Sequence, residues 1–227
     1  MQHIDNIWHL FIINVIMKIM KKLVLLLFVA LISIQISAQE FHFIPRIGFN
    51  LANTYPESFA DMRPGVNVGV AGEIRFSKLF ALEPGVYYSM QGHRYKYKGE
   101  TSKLNVDYLN IPLHVKFYLY KGFHMFAGPQ LGINVKAKAT NFQYELNHKP
   151  SETKTFSGDI KDDVRNCDLS FSMGAGYAFD MGLILSANYN LGCTYLYRES
   201  KLSPGGFSLF KGKEHNGIIQ FNVGWRF

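Results

Sequence analysis

Apolar and polar residues alternate with a period of two from Phe43 to the end of the chain, the pattern of strands whose two faces meet different surroundings. In GVNVGVAGEIRF, residues 65–76, Val66, Val68, Val70, Ile74 and Phe76 share one side, and Asn67, Gly69, Ala71, Glu73 and Arg75 the other. In YLNIPLHVKFYL, residues 108–119, Leu109, Ile111, Leu113, Val115, Phe117 and Leu119 oppose Asn110, His114, Lys116 and Tyr118. LSFSMGAGYAF, residues 169–179, sets Leu169, Phe171, Met173, Ala175, Tyr177 and Phe179 against serines and glycines. The pattern predicts eight strands, over about 43–52, 64–76, 80–91, 106–119, 123–137, 168–179, 182–195 and 217–227.

The connections alternate as well. Tight turns, SKL, YKG and DM, follow the second, fourth and sixth segments, whereas polar stretches of roughly 11, 14, 30 and 21 residues follow the first, third, fifth and seventh. An even strand count with turns at one end and long loops at the other is the plan of an up-and-down barrel in an outer membrane. The chemistry of the faces separates this from a soluble barrel, whose outward face would carry many lysines and glutamates. Here the polar face holds Gly128, Gln130, Gly132 and Asn134 in the fifth segment and Ser170, Ser172, Gly174 and Gly176 in the sixth. Small polar residues fit a narrow lumen, and long apolar ones suit lipid. The expected fold is therefore all-β: an eight-stranded antiparallel up-and-down transmembrane β-barrel. In the last segment, IIQFNVGWRF, residues Phe221, Val223, Trp225 and Phe227 share the lipid face, and Gln220, Asn222, Gly224 and Arg226 the lumen. Closure of this strand on the first would leave no open edge in the hydrocarbon.

Ahead of the strands, Lys18, Lys21 and Lys22 precede the apolar run LVLLLFVALISIQISA, which ends at Ala38. A positive start, a short apolar core and a small residue at its end read as a signal peptide cleaved after Ala38; the run is shorter than the ~20 residues of a spanning helix. Residues 1–16 add a second apolar patch and an acid before the lysines, so the true start is expected at Met17 or Met20. The domain reading is residues 1–38 as signal peptide, with 1–16 upstream of that start, and 39–227 as the barrel. The formal charge of +7 falls to +5 without residues 1–38, which hold three lysines and one aspartate. So small an excess is weak evidence for an acidic partner. The 19 phenylalanines, 13 tyrosines and 20 glycines favour aromatic-rich β structure and argue against disorder.

The stretch DYLNIPLHVKFYLYKGFHMFAGPQLGINVKAK, with Tyr108–Pro112 and Ala127–Gly132 inside it, resembles the outer-membrane β-barrel family of Bacteroidetes labelled PorT-like. The resemblance covers residues 39–227. It implies the fold, and it implies as one alternative an accessory role in type IX protein secretion, in which the family's named member takes part together with gingipain maturation. No motif here singles out that role. The terminal aromatic behind Phe221, Val223 and Trp225 also resembles the C-terminal signal by which barrel assembly machinery recognises its substrates.

Candidate sites follow from parity. A polar cluster is expected in the lumen toward the turn end: Arg46, Glu73, Arg75, Glu83, Lys116, His124 and Arg226. With the second turn centred on Leu79, Arg75 lies across from Glu83 and Glu73 two residues higher. Such charges pair or hydrate, forming an interior plug, and eight strands leave a lumen that side chains fill. His114 and His124 face inward on neighbouring strands, but His124 pairs with Tyr118, which disfavours a shared metal. Centring the third turn on Asp180 sets Cys167 beside Cys193 at the loop-end rim, where a cross-strand disulfide and two free thiols are both open. HRYKYKGETSK, residues 93–103, interleaves bases with aromatics. At a cell surface this suits an interfacial belt or the phosphates of lipopolysaccharide, not nucleic acid. The aspartates 159, 162, 163 and 168 match no trusted calcium loop. No serine, histidine and acid converge at the rim, so no enzyme, cofactor or metal site is expected. The expected function is a small structural or interaction barrel with a filled lumen, displaying loops and touching outer-membrane lipids and lipopolysaccharide. A secretion accessory contacting other envelope proteins and a narrow small-solute channel are the alternatives.

Overall fold

A computed structural model describes residues 40–55, 62–97, 100–145, 153–197 and 214–227. The expected signal peptide, residues 1–38, lies outside the described residues. Nine strands run among them: β1 (Glu40–Tyr55), β2 (Arg63–Arg75), β3 (Phe80–Tyr97), β4 (Glu100–Tyr120), β5 (Phe123–Glu145), β6 (Thr153–Asp159), β7 (Cys167–Ala178), β8 (Leu183–Gly192) and β9 (His215–Trp225). Each antiparallel strand pairs with its neighbours, β9 pairs with β1, and β4 with β5, so that every strand except β6 belongs to a closed ring of eight. Closure brings Phe49 opposite Phe221 and sets the Phe227 N–H 3.0 Å from the Phe43 carbonyl.

The ninth strand arises because the long fifth connection is not a loop throughout. β5 runs past the point where β7 leaves it, at the Ile133–Cys167 pair, and its last residues pair with β6 instead. The third connection is likewise a ribbon: β3 and β4 stay paired from Phe80–Phe117 out to Tyr97–Glu100. Above Leu109 the wall therefore continues as two hairpins.

Tight turns set the registers at the opposite end. Lys121 and Gly122 both take positive φ, 42° and 84°, the two-residue hairpin turn whose twist matches its flanking strands. Tyr118 faces His124 across it. The other two turns centre one residue away from expectation. Arg75 pairs with Ala81, not Glu83, because the second turn is tightened about Lys78, where the Ser77 hydroxyl accepts the N–H groups of Leu79 and Phe80. On that register Glu83 falls opposite Glu73. The β7–β8 turn closes about Met181, helped by Gly182 at φ 103°, and pairs Ser170 with Gly192.

Outward-facing side chains are apolar around the ring, among them Ile47, Val68, Val86, Val115, Met125, Phe171, Leu185 and Val223. From Leu119 to Leu109 on β4, a rise of about 3.3 Å per residue at a tilt of about 40° spans roughly 25 Å, the height of an outer-membrane apolar band. An aromatic girdle rims the turn end: the Phe80 and Phe117 rings lie tilted at 5.0 Å, Tyr177 and Phe179 edge to face at 4.7 Å, and Trp225 and Phe227 are exposed at the same end.

Candidate functional site

The lumen is layered, and alternate residues of successive strands build each layer. At the turn end lies a charged belt. Arg46 on β1 grips Glu83 on β3 with both terminal nitrogens, at 2.9 and 3.0 Å, and donates to the Tyr87 hydroxyl at 3.0 Å. Lys116 on β4 bridges the two carboxylates, 2.8 Å from Glu73 and in contact with Glu83. Tyr118 donates to Glu73 at 2.7 Å, and Arg75 reaches the other oxygen of Glu73 at 3.3 Å while stacking over the Tyr118 ring. Glu73, Glu83 and Lys116 are at most 1% exposed. Two carboxylates side by side in so dry a place would repel; the shared ammonium and the forked guanidinium offset that repulsion.

The sequence-predicted members do not all join. His124 is buried, but its Nδ1 sits 3.0 Å from the Gly122 carbonyl and its ring packs on Tyr118 and Phe126. Arg226 is half-exposed beyond the end of β9, where its backbone N–H donates to Gly182. Two members come from outside the predicted set: Tyr118, which parity had placed in the lumen without a role, and Tyr87, which was not singled out. His114 lies 3.7 Å from a Glu83 oxygen and against Phe126. Among the described residues no group of histidine, cysteine or acid side chains is arranged to hold a metal.

Above the belt comes a layer of amides and hydroxyls. Asn67 donates to Asn222, Asn222 to Asn188, Asn188 to Gln220, Gln220 to Asn50, and Asn50 to Ser89, a chain of bonds between 2.6 and 3.0 Å that crosses β2, β9, β8, β1 and β3. Between belt and amides lies a cavity of about 20 Å³, lined by Arg46, Tyr87, His114, Gln130 and Asn222 among others. It has room for about one water molecule.

An apolar cap lies at the loop end. Leu104, Val106 and Tyr108 of β4 and Ala137 and Ala139 of β5 face inward, and Ile160, Val164, Leu196 and Tyr197 pack onto them from the connections. A bulge makes this possible: Val135 and Lys136 both face outward, so the inward parity of β5 passes from even numbers at Asn134 to odd at Ala137. Apolar residues at lumen positions of β4 were the signal in the sequence for this cap. The stretch 160–164 has no period and gave none.

At the same rim Cys193 donates its N–H to the Leu169 carbonyl, while Cys167 pairs with Ile133. The two cysteines are exposed free thiols, staggered by two residues because the turn centres on Met181. This corrects the side-by-side placement expected from Asp180. Phe221, Val223, Trp225 and Phe227 all point outward.

A closed ring of strands, apolar outside and packed with polar groups within, defines an integral outer-membrane β-barrel. Residues 37–197 match the family described as "Outer membrane protein beta-barrel domain", and the chain belongs to it; its place is the bacterial outer membrane. Among solved structures it is similar to Neisserial surface protein A, at 13% identity over 84% of this chain and 100% of that one, with a TM-score of 0.49. The attachment invasion locus protein Ail of Yersinia pestis is similar at 11% identity over 83% and 98%, with a TM-score of 0.45. The N-terminal barrel domain of Pseudomonas aeruginosa OprF is similar at 10% identity over 83% and 100%, with a TM-score of 0.35. No curated protein matches the sequence significantly. The assignment rests on the family match and on the closed ring.

Proposed function

We propose that the protein is a closed anchor: a small barrel that conducts nothing and holds the β3–β4 and β5–β6 hairpins outside the cell. The observation that carries this reading is the filling of the lumen by the charged belt, the amide layer and the apolar cap, with a cavity of about 20 Å³ between belt and amides. The tight turns lie at the periplasmic side and the hairpins at the extracellular side. Residues 1–38 act as the export signal, and the outward row Phe221, Val223, Trp225 and Phe227 serves recognition by the assembly machinery.

The PorT-like segments favour the same reading over a secretion-specific one. Tyr108–Pro112 and Ala127–Gly132 lie side by side in the wall, with Asn110 opposite Gly132 and Pro112 opposite Gln130. Gly128 is needed there because a Cβ would collide with the Leu113 carbonyl of β4. The motif builds wall and lumen, and a partner in the periplasm or outside would not touch it. An accessory role in type IX secretion would therefore be carried by the hairpins.

Display is testable on intact cells. In a background with Cys167 and Cys193 replaced by serine, a membrane-impermeant maleimide is expected to label Lys161→Cys, in the outer connection, and to leave Lys121→Cys, in a tight turn, unlabelled until the cells are opened. Labelling of Lys121→Cys alone on intact cells would overturn the reading.

A further inference from the structure

The outer face of the wall carries a charged patch at the height where the apolar band ends. Lys136 and Asp107 face each other on β5 and β4, Lys138 lies opposite Asn105, and Lys103, two residues along from Asn105, lies opposite Arg94 of β3. Successive steps of two keep all of them on the outward side. Lys103, Lys136 and Lys138 are exposed, Lys136 with 59% of its side chain open. Arg94, Lys103 and Lys138 form no ion pair with a described residue, although Asp159 of β6 sits across from Lys138.

Asp107 makes this patch a built feature. It points outward yet is 1% exposed, accepting a hydrogen bond from Tyr88 at 2.8 Å and lying 3.4 Å from Arg63 and 4.0 Å from Lys136. A carboxylate at the edge of the hydrocarbon is costly unless paired. Here it ties the Tyr88 ring, on the apolar band, to the Lys136 ammonium just above it. Directly below, Ile111, Leu131 and Ile133 present an apolar wall. The patch remains positive even with both aspartates counted, since Arg94 adds to the three lysines.

We infer that Lys103, Lys136 and Lys138, with Arg94, seat the phosphate groups of a phosphorylated glycolipid of the outer leaflet, whose acyl chains lie on Ile111, Leu131 and Ile133. An ammonium cluster above an apolar wall matches a ligand with anionic head and hydrocarbon tail in the same order along the membrane normal, and basic residues at such a height are attracted to anionic lipid. The inference rests on the extracellular assignment of the hairpin end and gives the displayed surface a ligand class.

The test is titration of the folded protein in mild detergent with bisphosphorylated lipid A, read by native mass spectrometry. Wild-type protein retains a lipid A adduct at saturation. K103Q/K136Q/K138Q weakens the apparent affinity at least tenfold while keeping its heat-dependent gel shift, and the triple arginine variant stays within about threefold of wild type. Dephosphorylated lipid A binds wild type as weakly as lipid A binds the glutamine variant, and inorganic phosphate at millimolar concentration does not compete. Equal binding by the glutamine variant, or equal binding of dephosphorylated lipid A, overturns the inference and leaves the closed anchor standing. A barrel that retains lipid A but passes ions overturns the anchor and leaves the lipid seat standing.

Discussion

Glu83 has the most demanding position in the molecule. It is buried, it lies opposite a second buried carboxylate, and it holds both nitrogens of Arg46 and the ammonium of Lys116. Removing one partner from a buried ionic network leaves the others desolvated without compensation, which costs about 3–5 kcal/mol. Glu83→Gln is therefore expected to lower the stability of the folded barrel by that amount in urea titration, followed by loss of the fast-migrating unboiled band. Glu83→Met combined with Arg46→Met should regain a good part of the loss, because the forked pair leaves together while Lys116 keeps Glu73; a double variant no more stable than the single one would contradict the pairing. The choice of residue types in this layer was legible in the sequence from parity, since Arg46, Glu73, Glu83 and Lys116 all stand at lumen positions. Which carboxylate meets which cation was not, because that depends on where a three-residue turn is centred, and a shift of one residue in the centre moves the register by two.

At the scale of elements the same sensitivity decides the cysteines. Alternation fixes the face of a strand but not its height against its neighbour, so Cys167 and Cys193 share a face on either centring of the β7–β8 turn and stand side by side on only one. The Ser170–Gly192 register places Cys193 across from residue 169. With Leu169→Cys introduced, mild oxidation is expected to link residues 169 and 193 and leave Cys167 as a thiol, read by peptide mapping. A dominant 167–193 link would contradict the register. The hairpins show the other limit of the sequence pattern: residues 92–105 and 138–159 are polar enough to pass for loops, yet much of them is paired strand. Polarity marks the absence of lipid, and strands that leave the membrane lose their apolar face while keeping their ladder.

For the whole molecule, eight-strand closure and outward lipid face were legible from the chain, because two solvents, lipid outside and packed polar groups inside, write opposite preferences on alternate residues. The apolar cap was legible only on its β4 side, since Ile160, Val164, Leu196 and Tyr197 come from connections without a period and meet it only in three dimensions. On the proposed closed-anchor reading, the cap above and the ion-paired belt below seal the amide layer between them, and what the protein offers to its surroundings is its outer surface and its hairpins. The measurement that tests this most directly is single-channel recording in planar bilayers, on protein whose folding is verified by faster migration before boiling. The closed anchor predicts no conductance steps above background in molar potassium chloride at any applied voltage the bilayer tolerates. Reproducible steps from the folded, heat-modifiable protein, scaling with the amount inserted, would show an open path through the lumen and contradict the account.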